Sequence, residues 1–107
     1  MSKYRQAAKV DESQKALVHV LRRIPGVTVA VGHDDILVGR EVNGVKMTYW
    51  FEIKTPDQRK KNGEWKAGAL KDSQEELLKN WKGHYSIVSS LEEIMVEIGL
   101  TKKKEKL

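Results

Sequence analysis

The 107-residue chain has no cysteine, which excludes disulfides, thiol catalysis and thiolate zinc sites together. No apolar run approaches bilayer-spanning length, and the start MSKYRQAAKV lacks the apolar stretch of a signal peptide. The expectation is a chain that neither enters nor crosses a membrane and works in the cytoplasm. A Gly-rich phosphate loop of the Walker type is absent, so no nucleotide cofactor is expected. Ser and Thr are scattered without a nucleophile-elbow pattern. The three histidines, His19, His33 and His84, never fall at zinc-helix spacing and read as structural or surface residues.

What is present suits one small α/β domain. Hydrophobic residues make up 39% of the chain, too many for intrinsic disorder and enough for one modest core. Net charge is +5, but the last six residues, KKKEKL, hold four of the lysines and account for most of the excess. Residues 1–101 therefore read as a single domain and 102–107 as a basic tail. A basic balance suits a polyanion such as nucleic acid and by itself decides little.

Asp11 and Gln14 stand at capping-box spacing before a stripe of Val10, Leu17, Leu21 and Ile24, widened by Ala16 and Val20: a first helix, stopped by Pro25-Gly26. VTVAV (27–31) and DILV (35–38) read as strands. Asn43-Gly44 marks a two-residue hairpin before VKMTYWFEIK (45–54), the longest strand. Residues 55–69 have no periodicity and read as a loop. Asp72 with Glu75 opens a second helix carrying Leu77, Leu78 and Trp81 on one face. YSIV (85–88) is a short buried strand, and Ser89 or Ser90 caps a last helix with Leu91, Ile94, Met95 and Ile98 inward. The order α-β-β-β-α-β-α predicts an antiparallel meander, joined in parallel by the strand that follows the crossover helix.

Within that order Asp35, Glu52 and Lys54 draw together. Glu52 and Lys54 share one strand face with Trp50, about 7 Å apart along the chain. Tyr49, Phe51 and Ile53 take the other face and enter the core. Asp35 begins the partner strand of the hairpin; the alternation leaves its register against Glu52 open. Two carboxylates beside a lysine suit phosphodiester hydrolysis with a hard divalent ion, the lysine orienting water or neutralising developing charge. Glu-x-Lys alone is also ordinary sheet design, and Asp34-Asp35 ordinary turn chemistry.

The order of elements, with KVDESQKALVHVLRR, DDILVGR, YWFEIKT and ALKDSQEELLKNWKGHYSIVSSLEEIMVEIGL in sequence over residues 9–100, resembles the PD-(D/E)XK nuclease superfamily. More closely, it resembles the small stand-alone VRR-NUC-type nucleases of bacteriophages. The resemblance implies a restriction-endonuclease-like core with a mixed sheet. It implies that Asp35 and Glu52 hold Mg²⁺, Mn²⁺ substituting, with the Ile53 carbonyl as a further ligand. Lys54 takes the place of the catalytic lysine, Gln74 that of a helix-opening glutamine, and Glu12 that of a first-helix acid contacting metal through water. Asp34 stands where relatives commonly have Pro. Asp35 is assigned as the ligand because the apolar ILV run follows it directly.

The loop residues Arg59, Lys60, Lys61, Trp65 and Lys66 follow the Glu-x-Lys strand and are candidates to grip phosphates and stack on a base. A flexible solvated loop is the competing reading. The combined expectation is a metal-dependent endonuclease acting in phage DNA processing, selecting DNA structure over base sequence, by cutting branches or by nicking. A homodimer is expected if two symmetric cuts are made. The alternatives are a catalytically silent nucleic-acid-binding module of the same fold and an interaction protein whose tail engages an acidic partner.

Overall fold

A computed structural model describes residues 14–32 and 35–101. Helix α1 runs over 14–22, followed by strands β1 (Val27–Val31), β2 (Asp35–Val42) and β3 (Val45–Ile53), a 3-10 turn at Pro56–Gln58, helix α2 (Asp72–Asn80), strand β4 (His84–Val88) and helix α3 (Leu91–Glu97). The four strands form one sheet in the order β1-β2-β3-β4. The first three pair antiparallel, and β4 lies parallel to β3. The expected α/β order and mixed sheet are thus present.

Asn43 and Gly44 have φ of 53° and 81°, the two left-handed positions of a type I′ turn, whose twist matches the flanking strands. Val42 consequently faces Val45, and the bulge-free ladder continues to Asp35 opposite Glu52. β2 extends four residues beyond the expected DILV segment because Gly39–Val42 continues this ladder.

Alternation then sorts the sheet into two faces. On one, Ile36, Val38, Phe51 and Val88 are buried against Val18 and Leu21 of α1 and Ile94 and Ile98 at α3. Burying such side chains stabilises the fold by roughly 1.5–3 kcal/mol each. The inward stripe of α1 is Gln14, Val18 and Leu21, with Leu17 and Ile24 at its margin. Ala16 and Val20, expected to widen it, are exposed, because the sheet meets only a narrow arc of the helix. Val10 and Asp11 lie outside the described residues.

The other face carries Asp35, Trp50, Glu52, Tyr85 and Ile87. α2 packs against β4 on this side. Its N-cap is Lys71, not Asp72, and its buried residue is Gln74. Gln74 Oε1 accepts the Lys71 N–H at 3.0 Å, so the capping box closes one residue earlier than Asp72 and Glu75 predict. Leu78 and Trp81 are exposed, against the expected apolar face. Ser90 caps α3 by accepting the Glu93 N–H, while Glu93 Oε1 accepts the Ser89 N–H at 2.8 Å.

Residues 55–69 are more ordered than a loop without periodicity predicts. Arg59 and Trp65 form an antiparallel bridge, flanked by Lys60 N–H to Glu64 O and Lys66 N–H to Gln58 O. Backbone pairing of this kind leaves no hydrophobic period to read. Among the described residues no helix is long and apolar enough to cross a membrane.

Candidate active site

The hairpin register decides the geometry. Asp35 on β2 and Glu52 on β3 are direct cross-strand partners, so their carboxylates leave the same face from Cβ atoms roughly 5 Å apart. Lys54 continues the Trp50–Glu52 row just past β3, its backbone N–H still bonded to Val88 O at 2.8 Å. Asp35, Glu52 and Lys54 are all half-buried. Ile53 packs its side chain on the core, which leaves only its main-chain carbonyl to offer a ligand.

The surroundings fix Asp35 from three sides. Trp50 Nε1–H donates to Asp35 Oδ2 at 2.8 Å. The Asp35 main-chain carbonyl accepts from Gly32 N–H at 2.8 Å and from Gln14 Nε2 at 3.2 Å. Gln14 is only 4% exposed, so α1 is tied to the first residue of β2 by a buried amide. Capping-box spacing predicts no more for Gln14 than a place at the helix start. Gly32 lies against Asp35 Oδ1, closely enough that a Cβ there would overlap that oxygen.

Tyr85, opposite Trp50 in the parallel ladder, completes the cluster. Trp50 meets Tyr85 edge-to-face at 4.8 Å between ring centroids, and Trp81 at 5.3 Å. The Tyr85 hydroxyl is buried without a hydrogen-bond partner among the described residues. Burial, and after it the charges of Glu52 and Asp35, push this hydroxyl up from 10.0 to about 12. It therefore stays a neutral donor at any physiological pH. Tyr85 escapes the sequence because nothing in a crossover of variable length fixes the register of β4.

The other candidate residues divide. Gln74, 6% exposed, spends its carbonyl oxygen on the helix cap, leaving its amide N–H groups as what it can offer a ligand. Arg59 turns inward: it pairs with Glu93 of α3, donates to Gly63 O and lies 3.8 Å over the Trp65 ring. Both Arg59 and Trp65 thus hold residues 59–65 together and onto α3. Lys60, Lys61 and Lys66 are exposed. Glu12 and Asp34 lie outside the described residues, as do His33 and the basic tail. His19 is exposed, and His84 stacks on Tyr49 at 4.6 Å.

The fold also creates a second basic surface that the sequence pattern does not single out. A cleft of about 540 Å³ between α1 and the end of β1 is lined by Lys15, His19, Arg22 and Arg23 and reaches Gln14 and Gly32. The cleft therefore ends at the two residues that touch Asp35. A signal for it exists, since positions 15, 19, 22 and 23 share one helix face, but the apolar stripe beside them dominates the pattern.

Asp35 and Glu52 supply hard oxygen donors. Among the described residues no group of three or more His, Cys, Asp or Glu converges. Two carboxylates, with water and phosphate taking the remaining positions, is a common way to hold Mg²⁺, and the donor set fits such an ion. Comparison with protein-family models, curated proteins and solved structures finds no significant match for this chain.

Proposed function

We propose that the protein is a Mg²⁺-dependent endodeoxyribonuclease of restriction-endonuclease-like fold, similar to the small phage VRR-NUC-type nucleases. The observation that carries the reading is the direct pairing of Asp35 with Glu52 on the sheet face shared with Lys54. Asp35, Glu52 and the Ile53 carbonyl would hold the cation, Mn²⁺ substituting. When bound, a divalent ion there supplies Lewis acidity at the phosphoryl oxygen and lowers the pKa of water.

The chain's own groups do the rest. Trp50 and Gln14 keep Asp35 in one orientation, so no reorganisation is needed when phosphate arrives. Lys54 brings positive charge to a phosphodiester approaching two carboxylates, and orients the attacking water. The cleft beside α1 gives the sugar-phosphate backbone a basic track leading to Asp35. Among the described residues no helix resembles a major-groove reader, which favours selection of DNA shape, branches included. A homodimer fits paired cuts, and a phage protein would act in the cytoplasm of its bacterial host.

Purified protein incubated with plasmid and branched DNA is expected to cleave with Mg²⁺ or Mn²⁺ and not with chelator. DNA binding without cleavage under every metal would establish the silent binding module instead. Failure to bind DNA at moderate salt would favour the interaction protein.

Two further outcomes test the geometry. Gly32→Ala pushes a methyl group into Asp35 Oδ1 and should lower the cleavage rate about tenfold to a hundredfold. Its circular dichroism and melting temperature should stay near wild type. Charge reversal at Lys15 and Arg23 should flatten the salt dependence of DNA binding, the log–log slope falling by about 0.9 for each phosphate that is no longer neutralised. Reversal at Lys60 and Lys61 should change it less, a contrast measurable by fluorescence anisotropy across a salt series.

A further inference from the structure

We infer that Trp81 receives an unpaired nucleobase beside the scissile phosphate, so that the preferred substrate is DNA whose bases are unpaired at the cut. The inference rests on the nuclease reading of the Asp35–Glu52 pair and names the substrate class of that site. Two residues along each strand from the acids, on the same sheet face, Leu37 pairs with Trp50, and Ala30 pairs with Leu37. This uncharged row is left open: Leu37 is 45% exposed, and Trp81, at the end of α2, is 52% exposed. Trp81 is joined to the acids through a single ring. Its centroid lies 5.3 Å from that of Trp50, edge-to-face, and the Trp50 indole N–H donates to Asp35 Oδ2 at 2.8 Å. Trp81 Nε1 also lies against Gly83, where a Cβ would meet it at 2.9 Å. The indole is thus a half-open aromatic surface held at short range from the carboxylates. Trp65, the aromatic that the loop offers for stacking, is taken by Arg59 instead.

Charge and ring chemistry together select a nucleotide over other occupants. An aromatic ring offers any base a π-face to stack on, whatever the sequence. Lys79 and Lys82, exposed on either side of Trp81 in the chain, add positive charge, and no carboxylate occurs from Leu78 to Leu91 to cancel it. A purely apolar partner gains nothing from these cations, whereas the phosphates that flank an unpaired base do. A two-fold contact between copies of the chain would set Lys79 and Lys82 near their own counterparts, which disfavours a second protomer on this surface. A paired base keeps its faces inside the helical stack, where a side chain on the protein surface does not reach them. Only a nucleotide out of the stack uses the ring, and a flap, a gap or a branch point supplies one.

Binding is measured by fluorescence anisotropy with the full chain and divalent ions chelated, on a plain duplex and on the same duplex carrying a short single-stranded flap. Wild type should favour the flapped DNA by about tenfold, the scale of one base–aromatic stack. Trp81→Ala should lose that preference and keep its affinity for plain duplex, while Trp81→Phe should keep most of it. Gly83→Ala, whose methyl group presses on the Trp81 indole, should lose part of it. An abasic residue at the base of the flap should cost wild type about tenfold and Trp81→Ala nothing, since the two changes remove the same contact. 2-Aminopurine at that position should be quenched by wild type and not by Trp81→Ala, a signature that a packing role lacks. The melting temperature of Trp81→Ala should stay near wild type. With Mg²⁺ added, wild type should cleave the flapped DNA about tenfold faster than the duplex, and Trp81→Ala should cleave the two alike.

A wild type that cleaves flapped and plain DNA alike overturns the inference and leaves the nuclease reading standing. So does a Trp81→Ala variant that keeps the preference for the flap, or quenches aminopurine as wild type does. Concentration-dependent dimerisation that Trp81→Ala abolishes, with aminopurine left unquenched by wild type, assigns the surface to a second copy and overturns the inference too. Trp81-dependent binding and quenching without cleavage under any metal overturns the nuclease reading alone. A wild type that binds no DNA overturns both.

Discussion

Asp35→Asn is expected to abolish metal-dependent cleavage, by about a thousandfold or more, while the protein folds and melts as wild type. Losing one of two carboxylates that hold the cation removes several kcal/mol of transition-state stabilisation, and each 1.36 kcal/mol is about tenfold in rate. The fold survives because an asparagine oxygen can still accept the Trp50 indole N–H that Asp35 Oδ2 accepts at 2.8 Å. The main-chain carbonyl bonded by Gln14 and Gly32 is untouched. Glu52→Gln, its cross-strand partner, should behave alike.

Both variants should bind DNA more tightly than wild type when divalent ions are chelated, since each removes a negative charge from the path of the phosphate. That gain separates a site that receives DNA from one that merely stabilises the sheet. Asp34→Asn is the matched control and should retain cleavage. If Asp34→Asn abolished cleavage and Asp35→Asn did not, the ligand assignment would reverse.

The second large effect is expected at Lys54. Replacing it with Ala should cost about a hundredfold to ten-thousandfold in cleavage rate, the usual range for a positioned proton-transfer or water-orienting group. Lys54→Arg restores the charge but not the compact ammonium, and should recover only part of the loss. Lys54 follows the last residue of β3 with its backbone still in the ladder, so neither change should unfold the edge of the sheet. A single-turnover assay with Mg²⁺ reads both variants directly. Full activity of Lys54→Ala would remove the lysine from the mechanism and leave the carboxylate pair to act without it.

Much of this arrangement is legible in the residues themselves. Alternation in VKMTYWFEIK separates Phe51 from Glu52, and β-branched runs mark β1 and β4 within one residue. The register of Asp35 against Glu52 is not settled by the sequence, since a bulge or a longer turn in the hairpin would shift it. A two-residue Asn-Gly turn without a bulge pairs Val42 with Val45, and seven steps further it pairs Asp35 with Glu52.

Other features leave no local trace. Gln14 bonds to a residue 21 positions away, and Arg59 to one 34 positions away. Such contacts depend on how helices land on the sheet, which no periodicity records. The same holds for Tyr85, whose place opposite Trp50 depends on how the connection through α2 closes. The exposed cations of α1 are visible in the sequence, but whether they flank a cleft or open solvent is settled only by where β1 ends.

The hairpin tip has a consequence for how this protein tolerates change. Asn43-Gly44 lies at the opposite end of the ladder from the acids, yet it works as a gauge for them. An amino acid added at the tip has to be absorbed there as a longer turn or a bulge, because a one-residue slip of the returning segment would send Glu52 into the apolar interior and Phe51 to the surface. A two-residue slip would preserve parity but shear the carboxylates apart by one full pleat. Indels at Gly63 or Gly68, remote from that gauge, carry no such penalty for the pair.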